Sequence, residues 1–205
     1  MKLYKLTDEM ERTYVNTQWG KDITVSVIGS GKQLCSDSYI HAYTHPLLAV
    51  LFNPIHANYT NPILWEAEGE VAESDGLKVG CRTLRTVQKM PLPEIGINAR
   101  VRFAIYVELE SPNHKELVPN FTIWAEGWLS GADRSEASAV WAAAGATVTS
   151  WAASAAARAT KKASEAPAKV AAALAAVGTR LDFVTLAQRA IADEAEYDRL
   201  SKEMT

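Results

Sequence analysis

The sequence predicts an α+β chain: a small, mixed, β-rich N-terminal domain over residues 1–118, then an alanine-rich helical region over residues 119–205. Two observations carry that prediction. Apolar and polar residues alternate in several short N-terminal runs, the period-two signature of half-buried strands. Half of the residues from 137 to 176 are alanine, the best helix former. A length of 205 residues suits one domain, or a small domain with a helical appendage.

Residues 2–6 (KLYKL) read as a strand, with a turn at Thr7-Asp8-Glu9. Residues 23–28 (ITVSVI) alternate cleanly and read as a second strand. The Gly29-Ser30-Gly31 that follows lacks the third glycine and the helix a phosphate loop needs, so it reads as a hairpin turn. Proline suits a helix's first turn and pushes its predecessor out of the helical region, so Pro46 opens a short helix. That helix runs to Phe52, where Asn53-Pro54 is expected to stop it. Residues 63–71 read as a strand with alternating acids Glu66, Glu68 and Glu70, a solvated face of an edge strand. Residues 77–90 continue as strand, with Cys81 inside. Residues 100–109 fit two patterns. Val101, Phe103, Ile105, Val107 and Leu109 alternate as in a strand, whereas Val101, Ala104, Ile105 and Glu108 share a helix face.

From residue 119 the character changes. Phe121, Trp124, Ala125 and Trp128 form a helical stripe that Gly131 ends, and the two tryptophans are expected in a core. Asp133 to Glu136 has the spacing of a capping box before a long helix. Pro167 breaks that helix and Gly178 stops it. Residues 181–203 read as a last helix with Phe183, Leu186, Ala187, Ala190, Ile191 and Tyr197 on its apolar side. Alanine faces let helices approach closely but bury little area each, so this region needs to pack on the N-terminal part or on a partner.

Bulk properties exclude several function classes. Hydrophobic residues make up 48% and charged residues 22%, the balance of a globular protein. A net charge of -3 and a pI near 5.8 exclude a general nucleic-acid binder, which needs a basic stripe. The N-terminus has no long apolar core, so no signal peptide is expected. Residues 137–157 carry no formal charge and are long enough to span a bilayer. They hold no Leu, Ile or Phe, so no membrane span is expected. Cys35 and Cys81 form no paired spacing, which fits two reduced thiols in a cytoplasm.

No catalytic, metal or nucleotide motif stands out, and no cofactor is expected. His41 and His45 are four apart, as in a zinc pair, but Ala42 stands where a metalloprotease needs glutamate, and Pro46 keeps the pair off one helix. They read as a strand and an N-cap histidine satisfied by local backbone. Cys35, beside a turn-like Ser36-Asp37-Ser38 and near His41, reads as a buried structural thiol. With catalysis set aside, His41, His45 and Cys35 are the candidates for chemistry. Trp19, Tyr43 and Trp151 are the candidates for binding, with Trp19 the freest because it sits in a loop.

The chain resembles a family of small phage- and prophage-encoded proteins. The matching pieces are Met1 to Asp8, Thr17 to Gly20, Leu34-Cys35, His41 to Val50, Asn53 to His56, Trp65 to Gly69, Lys78 to Cys81, and Trp124 to Gly131 before an alanine-rich tail. Thr147 to Ser150 and Pro167 depart from the family's more regular tail. The resemblance implies that residues 100–109 are helical, and it implies no activity. The function expected is a phage-type accessory protein in the host cytoplasm that binds a host or defence-system protein. The alternatives are a small enzyme or nucleotide binder with a site near Cys35, His41 and His45, and a virion-associated or self-assembling protein. Self-association is left open.

Overall fold

The computed structural model describes residues 1–110, 119–135 and 181–203. The chain divides into two compact units, Met1–Glu94 and Ile95–Thr205, so the boundary falls before residues 95–110 rather than at 118/119. The alanine-rich stretch, with Trp151, the Pro167 break and the segment 137–157, lies outside the described residues. Among the described residues, no helix is long and apolar enough to cross a membrane. The fold class is α+β: an N-terminal antiparallel sheet with one helix, then helices.

In the first unit, β1 (Lys2–Thr7), β6 (Ile63–Ser74) and β7 (Val79–Met90) form the main ladder, with β1 and β7 flanking β6. The β6–β7 turn is built by Asp75, whose Oδ1 accepts from the N–H groups of Leu77 and Lys78 at 3.0 and 2.9 Å. Gly76 there has φ +85°, a conformation that favours glycine. Register shifts at Glu66/Ala67, Gly69/Val71 and Val71/Glu73 bend the hairpin. At Gly69 a Cβ would lie 3.0 Å from both Leu84 Cδ1 and the Thr83 carbonyl.

On its other edge β7 pairs with both β4 (Thr24–Ser26) and β5 (Ile40–Ala42). The Gly29–Gly31 loop is therefore no hairpin turn: the strands before and after it lie along the same neighbour instead of along each other. Beyond β5, Tyr43 exchanges two 2.8 Å backbone hydrogen bonds with Tyr4 of β1. The sheet thus curls until β5 meets β1. Inside the curl pack Leu3, Trp19, Ile40, Ala42, Ala67, Val79, Cys81 and Leu84. Glu66, Glu68 and Glu70 lie on β6, an internal strand and not an edge. Two of them are tied by Lys2–Glu66 and Arg85–Glu68 ion pairs.

Helix α1 spans Pro46–His56, four residues past the predicted stop. Pro54 sits inside it, losing one N–H to the ladder but not ending the helix. The stop comes at Asn58, whose φ of 56° is left-handed. Asn53 pins that turn with both ends of its amide, bonding the Tyr59 carbonyl and N–H.

In the second unit, α2 spans Ile97–Leu109 and packs with α4 (Phe183–Glu203). Residues 100–109 are therefore helix. Every residue from Val101 to Glu108 is buried, so all sides of α2 are covered and the apolar residues carry no single-face period. Helix α3 spans Pro119–Ser130 and buries Phe121, Trp124, Ala125 and Trp128. It ends at Gly131 with φ +79°. Asp133 Oδ1 accepts from Ser135 N–H at 2.9 Å, and the long helix predicted after it lies outside the described residues. Phe183, Leu186, Ala187 and Ala190 of α4 are buried as predicted. Glu194, which the sequence did not mark, is buried too, and its carboxylate bonds Arg102 at 3.0 Å and Arg134 at 2.6 Å.

Candidate functional site

Two features of the first unit stand out, and the sequence points squarely at neither. The first is the hairpin of β2 (Arg12–Thr13) and β3 (Thr17–Gln18). Asp8 starts it, its Oδ1 accepting from Met10 N–H at 2.9 Å and Arg12 N–H at 2.7 Å. Gln18 Nε2 donates to the carbonyls of Met10, Glu11 and Trp19. Trp19 Nε1 donates to Thr13 Oγ1 at 2.8 Å. Glu11 pairs with Lys89 of β7 at 2.6 Å.

This bracing holds an unusual tip. Val15 has φ 52° and ψ 34°, and Asn16 has φ 57°. Asparagine tolerates the left-handed region, whereas a β-branched residue there is strained. The tip is also apolar and open: Tyr14 is 85% exposed and Val15 78%. Met10 is exposed nearby. Trp19, the binding candidate, is only 2% exposed. Its indole anchors the hairpin to the core, so the exposed apolar surface here is the tip that Trp19 supports and not Trp19 itself.

The second feature is a polar cluster around α1 and β5. Lys5 is buried, its Nζ donating to the His41 carbonyl at 2.7 Å and lying 5.3 Å from the Trp19 ring centre. Burial pushes its ammonium down to about 8. Tyr43 is buried, with its hydroxyl 3.0 Å from Nδ1 of His56. His56 stacks between Tyr43 and Phe52, with ring centres 6.0 and 5.6 Å away. Burial, and next the nearby Lys78 ammonium, push the imidazole down to about 4, against an opposing pull from Asp75. Burial raises the Tyr43 phenol. Asp75 is engaged by the turn and by Lys78 Nζ at 2.7 Å.

The predicted chemistry candidates lie on three different elements, and His41 reaches the residue beside Cys35. His41 is on β5 and its Nε2 meets the Leu34 carbonyl at 2.6 Å. Burial pushes its pKa down. His45 caps α1, its Nδ1 accepting from Leu47 N–H at 3.2 Å. Both are the backbone-satisfied histidines expected from the sequence. Cys35 is exposed rather than buried, because it lies on the long excursion between β4 and β5, while Cys81 is the core thiol. Among the described residues, no three metal-binding side chains converge. An open cleft of about 390 Å³ lies on β6 and β7, lined by residues that include Glu68, Val71, Arg82 and Arg85. None of Cys35, His41, Tyr43 and His45 lines it.

The glycine loop is turned the wrong way for phosphate. Arg82 donates to the carbonyls of Gly29, Gly31 and Ser38, so these oxygens face a cation. Arg82 also stacks on Tyr39 at 4.1 Å. Tyr43 is a binding candidate from the sequence and His56 stands near the histidine pair there, but their pairing is visible only in the structure. The available signal was spacing: His56 follows Phe52 by four residues on one helix face. In comparisons with known proteins, the chain matches no family model, no curated protein and no solved structure.

Proposed function

We propose that this chain is a non-enzymatic binding protein, a phage-type accessory protein that engages a host or defence-system protein in the host cytoplasm. The observation that carries the reading is the β2–β3 hairpin. Its tip presents Tyr14 and Val15 to solvent on a backbone braced by Asp8, Gln18 and Trp19. A rigid loop with an aromatic anchor loses little entropy on binding, which is what a compact contact site needs. Strain at Val15 has no use in the hairpin's own stability, and strained backbone concentrates at functional sites. The enzyme reading draws less support, since His41 and His45 are each engaged by local backbone groups.

The test compares capture from host lysate by the wild-type chain and by a Tyr14→Ala/Val15→Ser variant, with thermal melts as the fold control. The expected result is a specific protein retained by the wild type and lost by the variant, with loss of any effect on the host. Equal capture by both chains, or activity independent of the tip, overturns the reading.

A further inference from the structure

The strand β4 ends the sheet order β1-β6-β7-β4, and among the described residues no strand pairs with its other edge. Its ladder with β7 is well defined. Thr86 N–H donates to the Ile23 carbonyl, Val25 faces Leu84, and Val27 N–H donates to the Arg82 carbonyl. The backbone groups of Ile23, Val25 and Val27 thus point towards β7. By the alternation of an antiparallel ladder, those of Thr24, Ser26 and Ile28 point away from it. Native edges are usually blunted by charge, proline or a bulge. Residues 23–28 (ITVSVI) contain no charge and no proline, and their register with β7 has no shift. Ile28 is 99% exposed.

This edge is complementary to itself. Antiparallel pairing of two copies about a two-fold axis through Ser26 sets Ser26 opposite Ser26, Thr24 opposite Ile28 and Val25 opposite Val27. The outward N–H and C=O groups of Thr24, Ser26 and Ile28 then meet in the pairs that exchange both hydrogen bonds. The valines, which pack against the core cluster, continue one apolar face across the junction. No like charges are brought opposite one another. A register one residue away would set the outward groups of one strand opposite the inward groups of the other, so only Thr24, Ser26 and Ile28 can face one another across the junction. We propose that the β4 edge is a homodimerisation surface and that a second copy of this chain is its occupant, by strand addition across Ser26. This surface is separate from the Tyr14–Val15 tip.

The experiment is sedimentation velocity on the intact chain from about 5 to about 500 μM, a range chosen because one strand pair buries less than a standard interface. The wild type is compared with Ser26→Pro and Ile28→Lys. The wild type is expected to move reversibly from the 22.4 kDa monomer towards twice that mass. Ser26→Pro removes an N–H that makes no bond to β7, and an edge strand accepts proline at such a place. Ile28→Lys alters a side chain already in solvent and sets an ammonium at each end of the pair. Both variants are expected to stay monomeric at every concentration, and Ile28→Lys to keep the wild-type melt at 5 μM. A monomeric wild type at about 500 μM overturns the proposal. So does wild-type self-association in Ser26→Pro or, should that variant fail to fold, in Ile28→Lys.

Discussion

The hydroxyl of Tyr43 lies 3.0 Å from Nδ1 of His56, and Tyr43 also makes the two backbone bonds to Tyr4 that close the curled sheet. One residue therefore ties the end of α1 to the seam of the sheet. The imidazole is held down at about 4 against an ordinary 6.5. Between those two values the unfolded chain takes up a proton here that the folded chain refuses, so this group's contribution to stability falls as pH drops through that window, while buried Glu108, raised to about 7, works in the opposite direction in both chains. The loss is complete near pH 4 and amounts to about 3 kcal/mol. In denaturant titrations from pH 7 to 4, His56→Phe is expected to start about 1 kcal/mol lower, because Tyr43 loses its partner. It should then fall less steeply, keeping the slope contributed by His41. Equal slopes in both chains count against His56 as the source.

Lys5 gives a second pH signature with a different window. Its ammonium is pushed down to about 8 by burial, from 10.5. Between those values the unfolded chain holds a proton that the folded chain has lost, so this group raises stability as pH climbs from 8 to 10.5. Cys81 opposes it, since burial raises the thiol and its ionisation penalises the folded state. The difference between wild type and Lys5→Met isolates the lysine. Their stability gap is expected to shift in favour of the wild type across that window. Direct titration of the side-chain amine by NMR should give a midpoint near 8, and a midpoint above 10 excludes the buried placement.

How legible these features are depends on how many sides of an element are covered. β1, β6 and β7 were readable because alternation survives where the two faces of a strand differ. Helix α2 was ambiguous because Val101, Phe103, Ile105 and Val107 are all buried, leaving no bare face to mark a helical period. His45 was readable as a cap because Pro46 follows it. Trp19 reads as a loop residue because Thr17 to Gly20 carries no apolar alternation, and what buries it is the core cluster from β1, β5, β6 and β7. The strained tip was invisible, since no propensity marks a valine for the left-handed region. Cys35 was misjudged for a related reason: a thiol's burial depends on what covers its loop, and no local pattern states that.

In the second unit, Glu194 sits between two guanidinium groups, with Arg102 3.0 Å and Arg134 2.6 Å away. Burial disfavours its charge, but hydrogen bonds from Arg134 and Arg102 outweigh that and hold the carboxyl below its ordinary value. Removing the shared carboxylate leaves a buried Arg102 charge without its counter-ion, so Glu194→Ala is expected to cost about 3–5 kcal/mol. Arg102→Met combined with Glu194→Leu removes both buried charges and should recover much of that loss. Chemical denaturation of the three chains checks this. A double variant no more stable than Glu194→Ala shows that the cost lies in lost packing instead.

Gly131 closes α3 with φ +79°, and a Cβ built there would run into the Tyr197 ring of α4. Gly131→Ala therefore meets both a disfavoured backbone and a clash, and the expected loss is about 2 kcal/mol or more. Gly96 is a useful control, because a Cβ there meets nothing within 4 Å and its φ is negative. Gly96→Ala should leave the melting temperature within about 2 °C of the wild type. Equal melts for the two variants would mean that Gly131 is not confined by Tyr197.

Val15 separates stability from function most sharply. Its φ of 52° costs a β-branched residue about 1–3 kcal/mol, and glycine adopts that conformation freely. Val15→Gly relieves the strain but also widens the unfolded ensemble, so a gain in stability of about 0.5–1 kcal/mol is expected. Its side chain is exposed, so no core packing is lost with it. If the tip is a contact site, the same change removes an apolar contact and loosens a loop that Asp8 and Gln18 hold rigid. Val15→Gly should therefore melt higher while losing protein capture together with Tyr14→Ala. A variant that melts higher and still captures its partner as the wild type does would leave the strain without a binding role, and contact would have to be sought at Tyr14 and Met10 alone.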